Sequence, residues 1–384
     1  MMGRLLAFVL FCAQGAFAVR VFSRMASSAK GGVRVERSDE SPFGDDTVTI
    51  LIPVLNEAAR LAPCLDGAVA QGPEVAEILV IDGGSTDGTQ DLVRRHAERD
   101  ERVRLIDASP VPEDVNGKAH GLQAGLESRE VHTEWVLTLD ADVRPEPSLA
   151  RSLLAHAKRT KVDAFSIATL QRLSGATEGL VHPSLLATLV YRFGLPGQAT
   201  TDPAMIQANG QCFFVRSTLL RDVGGFTGTM RSPNEDVTLA RTIASRGHAV
   251  GFYESDRLVA VEMYAGSREA WENWTRSLPM QDRFVPDATP RLLEVALAQA
   301  LPPWIAAISW RTLGRKHPLA LLNIGLVAAR IGTLAGMARA YETRPWTYWL
   351  SPLLDVPAVI RIWIMARRRI HRWRGRTIDT GRTT

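Results

Sequence analysis

Four short apolar runs separated by helical patterns constrain the fold of this chain more than any other feature. They have the length and composition of buried strands: Thr47 to Ile52, Ile78 to Ile81, Val103 to Ile106 and Trp135 to Leu139. Helical patterns fill the intervals, as at Gly117 to Glu127. Strands of a parallel sheet are covered on both faces and are therefore apolar throughout. The pattern predicts an α/β fold in which helices cover both faces of a parallel sheet.

Apolar residues make up 46% of the 384-residue chain and gather at its two ends. Leu5 to Val19 is an apolar run with two interpretations. Ala16-Phe17-Ala18 resembles a signal-peptide cleavage site. Alternatively the run is an uncleaved anchor that reaches Val21, and the basic residues after it then place the rest of the chain in the cytoplasm. Further apolar segments favour the anchor.

Three segments near the C-terminus approach the length that spans a bilayer: Leu292 to Trp310, Leu319 to Met337 and Trp346 to Met365. They contain ionisable residues, which must pair, snorkel or face a cavity at membrane depth. If all three crossed, the Arg-rich tail of a cytoplasmic protein would lie outside, so we expect one segment to be interfacial or re-entrant. Buried helices of a soluble domain are the alternative.

The charge distribution and the cysteines exclude several classes of function. Net charge is only +4, but basic residues cluster beside the terminal apolar segments, which favours contact with anionic lipid over nucleic acid. Cys12, Cys64 and Cys212 have no paired spacing, so neither a disulfide framework nor a zinc site is predicted. We expect the soluble part to face a reducing compartment.

Asp140-Ala141-Asp142 follows the fourth apolar run directly. Two carboxylates where a buried strand opens into a loop are hard oxygen ligands for a divalent cation, which commonly holds a diphosphate. A solvated turn is the alternative for the triplet alone. The metal interpretation predicts a nucleotide-activated substrate.

Four further elements accompany this triplet. They are Pro53-Val54-Leu55-Asn56-Glu57, Asp82-Gly83-Gly84-Ser85-Thr86-Asp87-Gly88-Thr89, Lys118 and Asn234-Glu235-Asp236. A glycine-rich loop allows backbone to approach a nucleotide, and Asp82 can accept hydrogen bonds from a base or ribose. Helix capping by Ser85, Thr86, Asp87 and Asn234 accounts for the same residues without a ligand.

Over residues 47 to 285 this set resembles the family-2 glycosyltransferases, which have a GT-A fold. The resemblance implies that Pro53, Asn56, Glu57, Asp82, Ser85, Asp87, Lys118 and Asp140 bind a UDP- or GDP-sugar donor. It implies that Asp140 and Asp142 hold Mg²⁺ or Mn²⁺ against the diphosphate. Asp236 is then the general base of an inverting transfer, with Glu235 orienting the site.

Among such enzymes the chain is most similar to membrane-attached carotenoid and hopanoid glycosyltransferases. Glu262-Met263-Tyr264, Trp271 to Arg276 and Trp373-Arg374-Gly375-Arg376 carry this similarity. Processive relatives carry a Gln-x-x-Arg-Trp pentad, which this chain lacks. The nearest stretch, Gln281-Asp282-Arg283-Phe284, has another spacing and no Trp. This difference argues against polymer synthesis. Trp274 and Arg276 are candidate acceptor or diphosphate contacts, or else an aromatic anchor and a snorkelling arginine.

These inferences predict a membrane anchor at 1–22, a basic linker at 23–46, a GT-A domain at 47–288 and C-terminal membrane helices with a basic tail at 289–384. Within the GT-A domain, 47–170 is expected to bind the nucleotide-sugar and 171–288 the acceptor. The predicted enzyme transfers one sugar to a membrane lipid at the cytoplasmic face of the cell membrane. A polyprenyl-phosphate sugar synthase and a non-catalytic sugar-nucleotide-binding protein are the alternatives.

Overall fold

The computed structural model describes residues 2–39, 46–128, 132–262, 266–368, 370–373 and 376–379. Met263, Tyr264, Arg374 and Gly375, which belong to the stretches that carry the similarity to lipid-modifying enzymes, lie outside the described residues.

The strands of the described part are β1 (Arg34–Val35), β2 (Val48–Val54), β3 (Val75–Asp82), β4 (Val103–Asp107), β5 (Trp135–Leu139), β6 (Val143–Pro145), β7 (Ala164–Ile167), β8 (Leu170–Gln171), β9 (Gln198–Thr200), β10 (Cys212–Arg216), β11 (Val250–Ser255), β12 (Val259–Val261), β13 (Ile370–Trp373) and β14 (Arg376–Asp379). The α-helices are α1 (Met2–Ala29), α2 (Ala62–Val69), α3 (Thr89–Ala97), α4 (Gly117–Glu127), α5 (Leu149–Thr160), α6 (Ala176–Phe193), α7 (Ser217–Asp222), α8 (Glu235–Ser245), α9 (Ser267–Glu269), α10 (Thr275–Ser277), α11 (Thr289–Val295), α12 (Pro302–Leu313), α13 (Pro318–Met337) and α14 (Asp355–Ala366). Short 3₁₀ segments are Pro203–Met205, Thr227–Thr229, Ala338–Ala340 and Trp346–Leu354, and π segments are Ala270–Trp274 and Ala296–Ala300.

A large mixed sheet forms the centre of the molecule, with strand order β1-β11-β7-β10-β5-β2-β3-β4 and with β9 beside β11. Strands β4, β3, β2 and β5 are parallel, as the sequence predicts. The whole sheet is mixed, because β10 is antiparallel to both β5 and β7 and β9 is antiparallel to β11. A strand that is antiparallel to its neighbours needs no helical crossover before it. The polar segment between α6 and β10 therefore gave no indication of the direction in which β10 runs.

Both faces of this sheet are buried. Successive residues of a strand point to opposite faces, and β2 places Ile50 and Ile52 in one apolar cluster but Leu51 in another. The cluster around Ile50 contains residues of α2 and α5, and that around Leu51 contains residues of α4 and α8. The apolar character of β2 is thereby explained, and the sheet presents only its strand ends and edges to a ligand.

The terminal apolar segments pack together against one side of this α/β body. Among the described residues, three helices are long and apolar enough to cross a membrane: Met2–Ala29, Pro318–Ala340 and Trp346–Ala366. Helix α1 continues well beyond the predicted anchor, and β1, inside the predicted linker, pairs with β11 at the sheet edge. The predicted segment Leu292 to Trp310 is not one straight helix, because α11 with its π segment and α12 meet at 56° where Pro302 and Pro303 follow Leu301.

The segment Trp346–Ala366 lies along α6 rather than away from the α/β body. Near its start, Thr347 donates from Oγ1 to the carbonyl of Ala176 at 2.5 Å, and further along, Ser184 donates to Asp355 at 2.9 Å. Helix α6 itself joins β8 to β9, so both of its ends belong to the α/β body. Trp346–Ala366 is nevertheless a candidate span by length and composition, and the expectation that one apolar segment does not cross the bilayer stays a prediction.

Candidate active site

The predicted site residues follow strands whose carboxyl ends meet at one edge of the sheet. Pro53 lies in β2, Asp82 ends β3, and Asp140 follows β5. Since β3, β2 and β5 are adjacent and parallel, residues far apart in the chain come together there. Ligands of open α/β sheets bind outside such ends.

A cavity of about 1300 Å³ opens at this edge. Nine of the predicted residues line it: Pro53, Glu57, Lys118, Asp140, Asp142, Glu235, Asp236, Trp274 and Arg276. Sites for one drug-sized ligand range from about 300 to 1,000 Å³, so this cavity has room for a second substrate.

Lys118 joins the two acidic motifs. Its Nζ lies 2.6 Å from Oδ1 of Asp140 and 2.8 Å from Oε1 of Glu235, and only 14% of its side chain is exposed. Burial opposes the charge of this ammonium group, but Asp140, Glu235 and Asp236 outweigh burial and raise the pKa of Lys118. Lys118 is therefore a fixed positive charge between the Asp-x-Asp triplet and the start of α8.

Asp236 lies beside this ammonium group and faces the same cavity. The backbone N–H of Gly210 donates to Oδ2 of Asp236 at 2.6 Å. A Cβ at position 210 would lie 2.6 Å from Nζ of Lys118 and 3.2 Å from Oδ2 of Asp236, so only glycine leaves room for both groups. Burial raises the pKa of Asp236 to about 7, Glu235 adds to the rise, and Lys118 opposes it.

Asp142 has the environment of a cation ligand. Its buried Oδ1 has no hydrogen-bond partner among the described residues. Burial, and then the neighbouring Asp140, raises the pKa of Asp142 to about 7, while Arg60 opposes the rise. An unpartnered buried carboxylate oxygen beside a second carboxylate fits a hard divalent cation. Among the described residues, no group of three or more His, Cys, Asp or Glu side chains is placed to hold a metal ion together.

Asp82 lies behind the cavity wall and is fully buried. Its carboxylate accepts hydrogen bonds from the backbone N–H of Gly84 at 3.1 Å and of Ser85 at 2.9 Å, from the Ser85 hydroxyl, and from Nε2 of Gln90 at 2.7 Å. In this structure Asp82 shapes the glycine-rich loop. Its predicted contact with a base or ribose remains a prediction.

The glycine-rich loop is tied to the loop after β2. Asn56 has a left-handed backbone conformation, donates from its N–H to Ser85 at 2.8 Å, and accepts from the N–H of Thr86 at 2.9 Å. Asp87 accepts from the N–H of Ala58 and of Thr89, each at 3.0 Å. The capping interpretation holds in part, since Asp87 satisfies one donor in the first turn of α3. Asn56, Ser85 and Asp87 are not among the residues that line the cavity.

Trp274 and Arg276 line the cavity at the end nearer the helices. The ring of Trp274 packs on His182, with 4.4 Å between centroids. Asp282 and Arg283 belong to the stretch Gln281-Asp282-Arg283-Phe284, which differs from the pentad of processive relatives. They contact α8 instead, through Thr238 and Thr242. The structure thus brings Trp274 and Arg276, but not that stretch, to the predicted site.

Sequence reasoning missed Asn116 and Gly210. Asn116 caps α4 and also donates from Nδ2 to Oε2 of Glu235 at 3.1 Å. The pair Asn116-Gly117 before a helical pattern was a visible capping signal, but the contact with Glu235 depends on tertiary structure. Gly210 stands alone in the sequence between polar residues, and nothing local distinguished it.

Comparisons with known proteins agree with this geometry. The family model of Glycosyl transferase family 2 matches residues 49–224. A dolichyl-phosphate beta-glucosyltransferase of Trichomonas vaginalis is 36% identical over 103 residues, which are 24% of this chain and 28% of that protein. A probable glycosyltransferase of Bacillus subtilis is 21% identical over 60% of this chain and 53% of its own length. The chain thus spans about half or less of these two relatives.

Two similarities extend further along the chain. The succinoglycan biosynthesis protein ExoA of Rhizobium meliloti is 24% identical over 75% of this chain and 92% of its own length. The solved structure of a mannosyltransferase from Pyrobaculum calidifontis, in complex with GDP-Man and Mn²⁺, is similar with a TM-score of 0.56 and 20% identity. It covers 94% of this chain and 98% of that one. Residues 49–224 therefore match the model of Glycosyl transferase family 2, and the chain has the GT-A-like α/β fold of the mannosyltransferase structure.

Proposed function

We propose that this protein is a membrane-attached, inverting glycosyltransferase that moves one sugar from a UDP- or GDP-sugar to a lipid. The observation that carries the proposal is one cavity lined by Asp140, Asp142 and Asp236 and also by apolar side chains of α1, α6 and α13. Donor, base and an apolar acceptor could therefore meet in one place.

The donor end of the proposed site is built around Asp140 and Asp142. A Mg²⁺ or Mn²⁺ ion there would stabilise negative charge on the departing diphosphate. The buried Oδ1 of Asp142, which has no hydrogen-bond partner among the described residues, supports this assignment. Lys118 contributes a second positive charge 2.6 Å from Asp140, where it can attract the diphosphate.

Proton transfer is assigned to Asp236. An acceptor hydroxyl that attacks the anomeric carbon loses its proton, and a carboxylate with a pKa near neutrality is suited to accept it. The Gly210 N–H fixes Oδ2 of that carboxylate. Glu235 holds Lys118 beside it at 2.8 Å, so it positions charge and does not itself receive the proton.

A lipid acceptor and attachment at the cytoplasmic face of the cell membrane complete the proposal. The attachment is supported by three helices in the described part of the chain that have the length and hydropathy of membrane spans. Arg20, Arg24, Lys30 and Arg34 follow the apolar part of α1 or lie near its end, which supports a cytoplasmic catalytic domain. The carotenoid- or hopanoid-like class of the lipid rests on the resemblance around Trp271 to Arg276.

A second candidate is a lipid phosphate as the acceptor. Exposed guanidinium groups of Arg257, Arg339 and Arg344 line the cavity and would favour an anionic headgroup. One relative is named a dolichyl-phosphate glucosyltransferase. An attacking phosphate is already an anion, so near-normal activity of Asp236→Asn on a lipid phosphate would favour this candidate over a hydroxyl acceptor.

The direct test uses the full-length protein in nanodiscs that contain total lipid extract of its source. Labelled UDP- and GDP-sugars are supplied with Mg²⁺ or Mn²⁺, and products are identified by mass spectrometry. We expect one labelled sugar on a lipid, and no product with Asp140→Ala. Titration calorimetry should show weaker metal-dependent nucleotide binding by Asp140→Ala than by Asp222→Asn, an exposed control. Label found only on water-soluble acceptors would contradict the lipid assignment.

A further inference from the structure

The active-site cavity continues into a gap between three helices. On this side it is lined by Phe22 and Met25 of α1, Leu186, Leu189 and Val190 of α6, and Gly332, Thr333, Gly336 and Met337 of α13. No charged side chain belongs to this set, whereas the opposite end of the cavity holds the carboxylates. The cavity thus holds carboxylates where the diphosphate is proposed to bind and uncharged side chains along α1, α6 and α13, with Arg339 and Arg344 lining it just after α13.

We propose that this gap is a lateral portal through which the acceptor lipid enters from the bilayer, with its hydrocarbon chain against Gly332 and Gly336. The inference rests on the proposed lipid acceptor. It adds the route, the helices that form it and the residues that set its width.

The position of the gap along the helices supports this occupant. Gly332 and Gly336 lie in the last turns of α13, and Phe22 and Met25 lie in the last two turns of α1. Both helices are candidate spans. From Gly332 to the end of α13 is about 8 Å at 1.5 Å per residue, which places the gap at the end of the apolar span nearer the α/β body. A lipid in that leaflet could insert its head group without leaving the bilayer.

The helices around the gap are fixed relative to one another. Gln14 and Asn323 exchange amide hydrogen bonds of 2.7 and 2.8 Å, which join α1 to α13 in the buried interior. Arg24 of α1 donates to the carbonyl of Tyr191 in α6 at 2.9 Å and pairs with Glu294 at 2.9 Å. Hydrogen bonds therefore join α1 to both α13 and α6, and they hold these three helices in place around the gap.

Two glycines control the width of the portal. They are four residues apart, so they lie on the same face of α13. A Cβ built at either position has no atom within 4 Å. A methyl group at either position therefore displaces no protein atom, and a larger side chain would extend from it towards the opening. Gly325, on the same helix, has equally open surroundings but does not line the cavity, which makes it a matched control.

The test compares Gly332→Leu and Gly336→Leu with Gly325→Leu in full-length protein reconstituted into nanodiscs of total lipid extract. We expect the two portal variants to lose transfer to lipid by about tenfold or more, with donor hydrolysis and calorimetric donor affinity unchanged. Gly336→Ala should lose less than Gly336→Leu, because the methyl group fills less of the opening. Gly325→Leu should match the wild type.

Two results would overturn the portal. Transfer to lipid by both Leu variants within about twofold of Gly325→Leu would show that the acceptor does not pass these residues. Parallel loss of donor hydrolysis and transfer would show that the substitutions act on the catalytic centre instead. A wild-type protein that glycosylates no lipid would contradict the proposed function itself, and that outcome is seen before any variant is compared.

Discussion

One ammonium group connects acidic residues from two distant parts of the chain. Lys118 contacts Asp140 of the Asp-x-Asp triplet and Glu235 at the start of α8. Asp236 is the next residue of α8, so the same contact brings the proposed base to the donor end of the cavity. Buried charges are tolerated when they are paired in this way. At the scale of single residues, the site is an electrostatic cluster in which each charge depends on its neighbours.

Asp236→Asn tests the role of the proposed base. The amide keeps the size of the side chain and an acceptor for the Gly210 N–H, but it cannot take a proton. We expect transfer to a hydroxyl acceptor to fall by about a hundredfold or more, the usual contribution of general-base catalysis. Calorimetric donor affinity should stay close to that of the wild type. Asp222→Asn serves as the surface control, and normal turnover by Asp236→Asn would remove the assignment.

The pKa of Asp236 predicts the pH dependence of turnover. Burial raises this pKa to about 7, so the carboxyl group is largely protonated at pH 6 and cannot act as a base. At saturating donor and metal, kcat should be level above about pH 7.5 and fall by about tenfold per unit below pH 6.5. Donor affinity measured at each pH separates this effect from protonation of Asp142. A level profile down to pH 5 would contradict a base of raised pKa.

At the scale of elements, local sequence patterns predicted what lies within one strand or helix. The fully apolar run at Trp135 to Leu139 became β5 with the predicted bounds, because a strand covered on both faces must be apolar throughout. The pattern at Gly117 to Glu127 likewise became α4. Both elements are specified by their own residues.

Features that depend on distant partners were not predictable in the same way. The antiparallel direction of β10 follows from its place between β5 and β7, which its own sequence does not encode. The sequence predicts that Asp82 binds a ligand, and this stays a prediction; it did not predict that the same carboxylate accepts hydrogen bonds from Gly84, Ser85 and Gln90. A motif identifies the chemistry that a loop can perform, and packing decides which atoms remain available for it.

The contact between α1 and α13 gives a prediction at this scale. Gln14 and Asn323 are fully buried and bond to each other, and each side-chain nitrogen also donates to a backbone carbonyl, of Leu297 or Leu319. Replacement of one residue therefore leaves the amide oxygen of the other without a partner in the buried interior. Gln14→Leu or Asn323→Leu alone should lower the free energy of unfolding by about 1–3 kcal/mol. The double variant should lose less than the sum of the two. Thermal unfolding in one detergent measures this cycle, and strict additivity would contradict a direct coupling.

At the scale of the whole molecule, groups with shifted pKa values act on stability in opposite directions. Burial lowers the pKa of His156 to about 4 and of His182 to about 3. An unfolded chain protonates both near pH 6.5, so below that pH protons bind to the unfolded state and destabilise the fold. Asp142 and Asp236 act the other way, because their raised pKa values let the folded state bind protons first. Between about pH 4 and 6.5 the two histidines and the two aspartates therefore act on stability in opposite directions.

Removal of the two histidines should expose this balance. In the double variant His156→Gln, His182→Gln the unfolded state no longer gains those two protons, while the acidic pair is unchanged. The variant is expected to lose stability at pH 7.5, since His182 accepts or donates a 3.0 Å hydrogen bond with Tyr341. Relative to the wild type, however, its Tm should rise steadily as pH falls from 7 towards 5. His248→Gln, at an exposed position, should show no such trend. A constant Tm difference between the double variant and the wild type across this range would mean that neither histidine is held neutral by the fold.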